Sequence, residues 1–536
     1  MGIETFLSWS KTVCTYDLNK EKLPKHVSML MFDMNGILHD ARSLPHEDFD
    51  SYFNNVLQLT EEYLKMFSSI SSIGIYIDGV ALPSKIQQQR IRRLGYVKND
   101  EDIILPIELT PGTDLMKKIS RKFKNVLPKL LEYTSDRKTK KNIPRIIYSS
   151  HEVPGEGELK MMEDLRRYNP KNCVCIGKDA DLVLLTINIE SNVTIIRGDD
   201  PYVGSLVHNI PKLKRFLDEK YISKKDFVLI SGFLGNDYLP RFFCFDSFRS
   251  GMEVLLPLLE FYNSEEKYLV NDDNSINSDN LLSFLEDCIL IEKDKLNERS
   301  KKKVQNNLLF TSSMEIFEDE QSESNEERSE ELDIDRFRYF YYTSFFEDIE
   351  NVVNEDIKSY NQVSEEDITM FCESALQVLQ FIVYLNLGNI STSSLSYIRN
   401  DFPIISPDTC YFFPRSPMFS DLYNYLKKNS IPNHKQIEAF TANHQLPIVL
   451  PKWFPMNSDL RRAPLDDLIP KSVYSISECT NRTDNEDNLK KNKYLLPVID
   501  YGRVVETIDS CLPYRNYNGR ISRFLPLPSE DSIFIY

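Results

Sequence analysis

Residues 172–187 read NCVCIGKDADLVLLTI, and the fold follows from how that stretch divides. Its apolar start, 174–176, is strand-like. Asp179 and Asp181 bracket a small alanine, and Leu182 then opens an apolar helix. The same unit recurs outward. Further strand-like runs lie at 27–32, 73–77, 145–148 and 193–197, and helical patterns at 49–66, 113–133, 158–168 and 210–219. Strands alternating with helices predict a mostly parallel, twisted α/β sheet flanked by helices on both faces. Open sheets of that class place their sites at the carboxyl ends of the strands.

Acids collect where such a sheet would put its site. Asp33 closes the first run, Asp78 follows the second, and Asp179 and Asp181 follow the one quoted above. Glu156 and Glu158 stand in GEGE, and Asp237 in GND. Hard divalent ions take oxygen ligands. Hydrolysis of a phosphodiester with two ions ~3.5–4 Å apart needs several carboxylates around them. A lone Asp after a strand is more often an N-cap or turn former. Glu158 at a helix start also suits the helix dipole. The two i,i+2 pairs are harder to read that way: Glu156 and Glu158 lie off the apolar stripe of Leu159, Met162 and Leu165, in a glycine-flanked first turn.

A second constellation is cationic. In SKIQQQRIRRL, residues 84–94, Lys85, Gln89, Arg92 and Arg93 share one helical face. Three cations and an amide suit a phosphate, which arginine grips in a bidentate fork. A solvated basic helix is the plain alternative. The nearness of Asp78 favours a terminal phosphate held beside the acids while the next linkage is cut.

The chain of 536 residues is long enough for two or three domains, and 41% hydrophobic with 27% charged residues is ordinary for a soluble protein. Three segments are expected: 1–245 as the α/β nuclease domain, 246–336 as helical text with a disordered acidic loop at 315–335, and 337–536 as a second block. A polar patch at 478–493 reads as another insertion, and 494–508 as strand-like. The net charge of −17 argues little against a nucleic-acid partner, because much of it sits in the acidic loop and the acids themselves. Nine scattered cysteines without C-x-x-C suit a reducing, cytoplasmic location, with the nucleus as the alternative. Seven histidines form no H-E-x-x-H pair, which disfavours a zinc hydrolase. No apolar run reaches the ~20 residues of a membrane span, and the first residues lack a signal-peptide pattern.

Taken together, MGIETFLSW (1–9), FDMNGILHDA (32–41), IYIDGVALPSKIQQQRIRRL (75–94), VPGEGELKMMEDL (153–165), GKDADLVLL (177–185) and GNDYLPRF (235–242) resemble, in order, the segments of XRN-type 5′→3′ exoribonucleases. TPGTDLMKKIS (110–120), RFRYFYYTSFF (336–346), HQLPIVLP (444–451) and PVIDYGRVVETI (497–508) are also similar. The resemblance implies a PIN/flap-nuclease-like sheet followed by a mainly helical α+β block that packs around it and completes the pocket.

It further implies that Asp33, Asp78, Glu156, Glu158, Asp179, Asp181 and Asp237 hold two Mg²⁺ or Mn²⁺ ions. Lys85, Gln89, Arg92 and Arg93 would form the pocket for a 5′-monophosphate, and His39 would stack on the 5′ base. Base stacking tolerates any sequence. Two positions depart from the family: Leu159 stands in GEGEHK and Arg241 follows GNDYLP. The Trp-rich segment that supplies a second stacking ring reads GNISTSSLSYIRNDFP (388–403), where Tyr397 or Phe402 is the substitute; the chain has only two tryptophans. The chain is expected to be a catalytic core without long C-terminal accessory domains. The expected activity is metal-dependent 5′→3′ degradation of 5′-monophosphorylated single-stranded RNA to mononucleotides, in RNA decay. The alternatives are a structure-specific 5′ flap DNA nuclease and an inactive RNA-binding scaffold.

Overall fold

The computed structural model describes residues 6–17, 23–79, 103–111, 113–134, 144–153, 155–197, 206–301, 337–338, 341–342, 365–388, 416–431 and 533–535. Its strands are β1 (Thr15–Asp17), β2 (His26–Val27), β3 (Met29–Asp33), β4 (Ser69–Ile70), β5 (Ser72–Tyr76), β6 (Arg145–Ser149), β7 (Asn172–Ile176), β8 (Asn192–Arg197), β9 (Leu206–Asn209) and β10 (Ile533–Ile535). The helices of the first half are α1 (Phe6–Val13), α2 (Met34–Ser43), α3 (Phe49–Lys65), α4 (Asp114–Thr134), α5 (Gly157–Tyr168), α6 (Asp181–Ile187), α7 (Ile210–Glu219) and α8 (Lys224–Phe233). They are followed by α9 (Phe248–Ser264), α10 (Ser278–Lys301), α11 (Glu365–Leu387) and α12 (Phe419–Leu426).

Eight strands form one sheet in the order β1-β9-β8-β7-β3-β5-β6-β10. The five central strands, β8-β7-β3-β5-β6, are parallel. The edges are antiparallel: β9 on β8, β1 on β9, and β10 on β6. From β3 the chain runs outward through β5 and β6, then returns past β3 to β7. The strand order therefore reverses between β3 and β7, the switch point where open α/β sheets bind ligands.

Alternation along each strand separates two apolar layers. Leu30 and Phe32 of β3, with Ile73, Ile75, Val174 and Ile176, face the core formed with α2, α3 and α4. Met29 and Met31, with Tyr76, Cys173, Cys175 and Ile195, face the opposite core. That second core takes in α1, α5, α6, α7 and α8 and continues without interruption into α9 to α12. The later helices thus extend the core on that one face of the sheet. Helix starts are locally specified. Asp48 caps α3 in a capping box with Ser51, and Ser223 caps α8. Among the described residues no helix is long and apolar enough to cross a membrane.

The central strands and the helices at 49–66, 113–133, 158–168 and 210–219 stand where the sequence predicts them, to within a residue or two. The 27–32 run differs. It breaks at Ser28, whose N–H donates to Asn172 O at 2.9 Å, and its first residues pair with β4 in a separate two-stranded sheet. The described part of the 246–336 segment, through residue 301, is largely helical as expected, and Phe248, Met252, Leu255 and Leu259 of α9 are buried. The cationic face Lys85, Gln89, Arg92 and Arg93 lies outside the described residues. So do the acidic stretch 315–335, residues 389–403 with Tyr397 and Phe402, the patch 478–493 and the run 494–508.

Candidate active site

Asp33 is the last residue of β3 and also the N-cap of α2, accepting the Asn35 N–H at 3.3 Å. The capping role and the site position coincide in one side chain. Asp33 is only 8% exposed. Burial first, then the charges of Asp78 and Asp179, push its carboxyl well above the ordinary range, with Glu156 adding to the same effect.

Asp78 lies just past β5, the neighbour of β3, and both its oxygens are held. Asn35 Nδ2 donates to Oδ2 at 2.6 Å, and the Gly157 N–H donates to Oδ1 at 2.6 Å. Asn35 Oδ1 accepts the Asp78 N–H in return, at 3.1 Å. Gly157 opens α5, the helix after β6, so these bonds link the carboxyl ends of three strands. Glycine suits that close approach: a Cβ on residue 157 would stand 3.0 Å from Asp33 Oδ1 and 3.3 Å from Asp78 Oδ1, so a carboxylate would have to give way. Gly155, at φ 93°, makes the turn that lets its carbonyl accept the Gly79 N–H at 2.9 Å.

Glu156 is the N-cap residue of α5, yet its side chain makes no capping bond. Glu158 is 8% exposed. With Asp181, the first residue of α6, these two line a cavity of about 30 Å³. Its remaining wall includes Asn236 and Tyr238 from the loop after α8, and Leu385 and Asn386 from α11. That volume is enough for a water or two.

Six of the seven acids therefore fall into two overlapping groups. Asp33 feels the charges of Asp78, Asp179 and Glu156, and Glu156, Glu158 and Asp181 share the cavity. Asp237 stands apart from the lining; its neighbour Asn236 reaches the cavity instead, fixed in a turn by bonds from the Tyr238 and Leu239 N–H groups at 2.8 and 2.9 Å. Among the described residues no three His, Cys, Asp or Glu side chains close into a ready ligand set. His39 is exposed on α2, one turn beyond Asn35.

Three supporting residues were not singled out by sequence reasoning. Asn35 clasps Asp78, Gly157 admits the carboxylates, and Lys160 is a buried cation beside them. Lys160, 4% exposed, donates to Ile77 O at 2.7 Å and Ser150 O at 3.0 Å, joining the ends of β5 and β6. Burial pulls its ammonium down to about 7, against the opposing pull of Asp78, Glu163 and Asp33.

Residues 1–105 and 95–199 match the family profile described as XRN 5′-3′ exonuclease N-terminus. The chain is 28% identical over 304 residues to 5′-3′ exoribonuclease 1 of Schizosaccharomyces pombe, covering 45% of this chain and 22% of that protein. It is 26% identical over 302 residues to 5′-3′ exoribonuclease 1 of Homo sapiens, covering 45% of this chain and 17% of the relative. With 5′-3′ exoribonuclease 2 of Candida glabrata it shares 25% identity over 377 residues, 52% of this chain and 36% of the relative. The matched region thus spans well under half the length of these relatives. Among solved structures, the catalytic core of Rad2 in complex with DNA substrate aligns at 12% identity and a TM-score of 0.33, over 73% of this chain and 96% of that one. At that score the superposition adds nothing to the assignment. Residues 1–199 therefore resemble the N-terminal region of XRN 5′-3′ exonucleases.

Proposed function

We propose that this chain is a 5′→3′ exoribonuclease that removes nucleotides from 5′-monophosphorylated single-stranded RNA. The observation that carries the reading is that Asp33, buried at the end of β3 beside the switch point, feels the charges of Asp78, Asp179 and Glu156 from the neighbouring strand ends. Relatives named as 5′-3′ exoribonucleases support the polarity and the polymer.

The donor set is oxygen only, with carboxylates from several strand ends around a water-sized cavity, which fits Mg²⁺ or Mn²⁺ rather than a thiolate- or imidazole-seeking metal. Asp33, Asp78, Asp179 and Glu156 would hold one side of a two-ion centre, and Glu158 and Asp181, with Asp237 at the edge, the other. When bound, such ions supply a water nucleophile at neutral pH and neutralise charge on the leaving oxygen. The chain's own residues do the positioning. Asn35 and the Gly157 N–H fix the Asp78 carboxylate, and Lys160 locks the two strand ends that carry Asp78 and the GEGE turn. Leu385 and Asn386 of α11 line the cavity beside Glu156, Glu158 and Asp181. Lys85, Gln89, Arg92 and Arg93 would hold the terminal phosphate and His39 the first base, in a cytoplasmic enzyme of RNA decay.

The deciding experiment incubates the pure protein with RNAs bearing 5′-monophosphate, 5′-triphosphate or 5′-hydroxyl ends, and with a 5′ flap DNA, each in Mg²⁺ and in EDTA. Mononucleotide release from the monophosphate RNA alone, abolished by EDTA, is the expected result. Preferential cutting of the flap DNA replaces the reading with the DNA nuclease, and binding without cleavage replaces it with the scaffold.

A further inference from the structure

Lys178 stands between β7 and the acid Asp179, and its backbone is pinned from two sides. The Gly177 N–H donates to Ile196 O at 3.2 Å, and Arg197 Nε donates to the Lys178 carbonyl. From that fixed point the side chain crosses to α2. A Cβ on Gly36 would meet Lys178 Cγ at 3.4 Å and Cδ at 3.6 Å, so the aliphatic stem lies over the glycine face of the helix. The ammonium ends on the carboxylate of Asp40.

The placement of this pair points to a ligand. Asp40 follows His39, and the same helix supplies Asn35, which clasps Asp78. Lys178 precedes Asp179 in the chain. The ammonium thus bridges the residue before Asp179 to the helix that carries Asn35 and His39, with its side chain 34% and that of Asp40 23% exposed. A partly exposed ion pair of this kind contributes little to stability, and lysine is an effective point-charge ligand for phosphate. The Asp40 carboxylate keeps the cation in place while no anion competes for it.

We propose that Lys178 is a substrate contact: its ammonium leaves Asp40 for a phosphate of the RNA strand entering the acid site, so that Asp40 acts as a built-in competitor for the RNA. The inference rests on the exoribonuclease reading above and adds to it a binding residue and a restraint on affinity. Opposite effects of breaking the same pair from its two ends are the signature. A merely structural ion pair would be harmed alike from either side.

The test is steady-state degradation of a 5′-monophosphorylated RNA oligonucleotide in Mg²⁺ by wild type, Lys178→Gln, Lys178→Arg and Asp40→Asn, repeated between about 50 and about 200 mM salt. Lys178→Gln is expected to raise KM about fivefold with kcat little changed. It should also make the slope of log kcat/KM against log salt shallower by about 0.7, the loss of one single-strand phosphate contact. Lys178→Arg keeps the wild-type slope, and Asp40→Asn lowers KM. If wild type degrades the RNA while Lys178→Gln keeps its KM and salt slope, or if both single variants raise KM alike, the inference is overturned and the function stands. A wild-type protein that does not degrade the RNA overturns the function and the inference with it.

Discussion

Asn35 and Asp78 hold each other in both directions: the Asn35 amide nitrogen donates to Asp78 Oδ2 at 2.6 Å, and its oxygen accepts the Asp78 N–H at 3.1 Å. One side chain on α2 thereby orients a carboxylate on the neighbouring strand end. Such orienting partners typically change metal affinity 10- to 100-fold when removed. Asn35→Ala is therefore expected to raise the Mg²⁺ concentration for half-maximal activity by about tenfold or more, while saturating Mg²⁺ restores much of kcat. A Mg²⁺ titration of both proteins checks it, and coincident curves would detach Asn35 from the site.

Gly157 gives a steric version of the same argument. Adding a methyl at 3.0 Å from Asp33 Oδ1 and 3.3 Å from Asp78 Oδ1 forces at least one carboxylate to move. Overpacking of this kind costs about 1–3 kcal/mol. Gly157→Ala is expected to lower the melting temperature slightly and to reduce kcat far more than that loss of stability accounts for. Kinetics and melting on one preparation separate the two effects; a normal kcat shows that the Asp33–Asp78 approach is not needed for the chemistry.

Asp179 and Asp181 serve the two overlapping acid groups, so either deletion removes part of the centre while leaving the strand ends in place. Asp179→Ala and Asp181→Ala are each expected to cut degradation by about a thousandfold without a matching loss of RNA binding. Gel shift beside a degradation time course reads both quantities. Near-normal turnover in either variant removes that acid from the catalytic set.

The parts of this arrangement that were legible in the sequence share a physical cause. Central parallel strands are buried on both faces, so β3, β5 and β7 read as continuous apolar runs, and acids at their ends stand out against them. The edges lack that contrast. β1 and β10 are three-residue strands whose pairing partners lie far off in sequence, and β9 is only four residues long. Ser28 breaks an apolar run through a bond to Asn172 that no local pattern announces. Asn35, Gly157 and Lys160 look like turn, spacer and surface residues until the strand ends are brought together. Support for a site is encoded in tertiary contacts, whereas its ligating groups are encoded in residue type.

The helices that follow the sheet carry a titratable device that tests their packing. Glu292 on α10 is 2% exposed and accepts the Phe419 N–H of α12 at 2.8 Å. Burial, with Asp421 nearby, pushes its carboxyl up to about 8, although the Phe419 and Ser420 bonds pull the other way. Arg338 and Tyr342 donate to Asp421 rather than to Glu292, so they temper the neighbour's charge. A carboxyl with a raised folded-state pKa holds its proton more tightly folded than unfolded. Its contribution to stability is therefore present below the ordinary glutamate range and is lost as the pH rises from there through about 8, by on the order of a few kcal/mol. Asp226, raised to about 6 chiefly by burial, adds a loss of the same sign over a lower window. The melting temperature is expected to fall between about pH 5 and about pH 8. Glu292→Gln keeps an acceptor for the Phe419 N–H but has no proton to lose. It should flatten the upper part of that fall and melt above wild type near pH 8. Parallel melting curves for the two proteins across this range would show that Glu292 ionises freely, and that α10 and α12 do not enclose it.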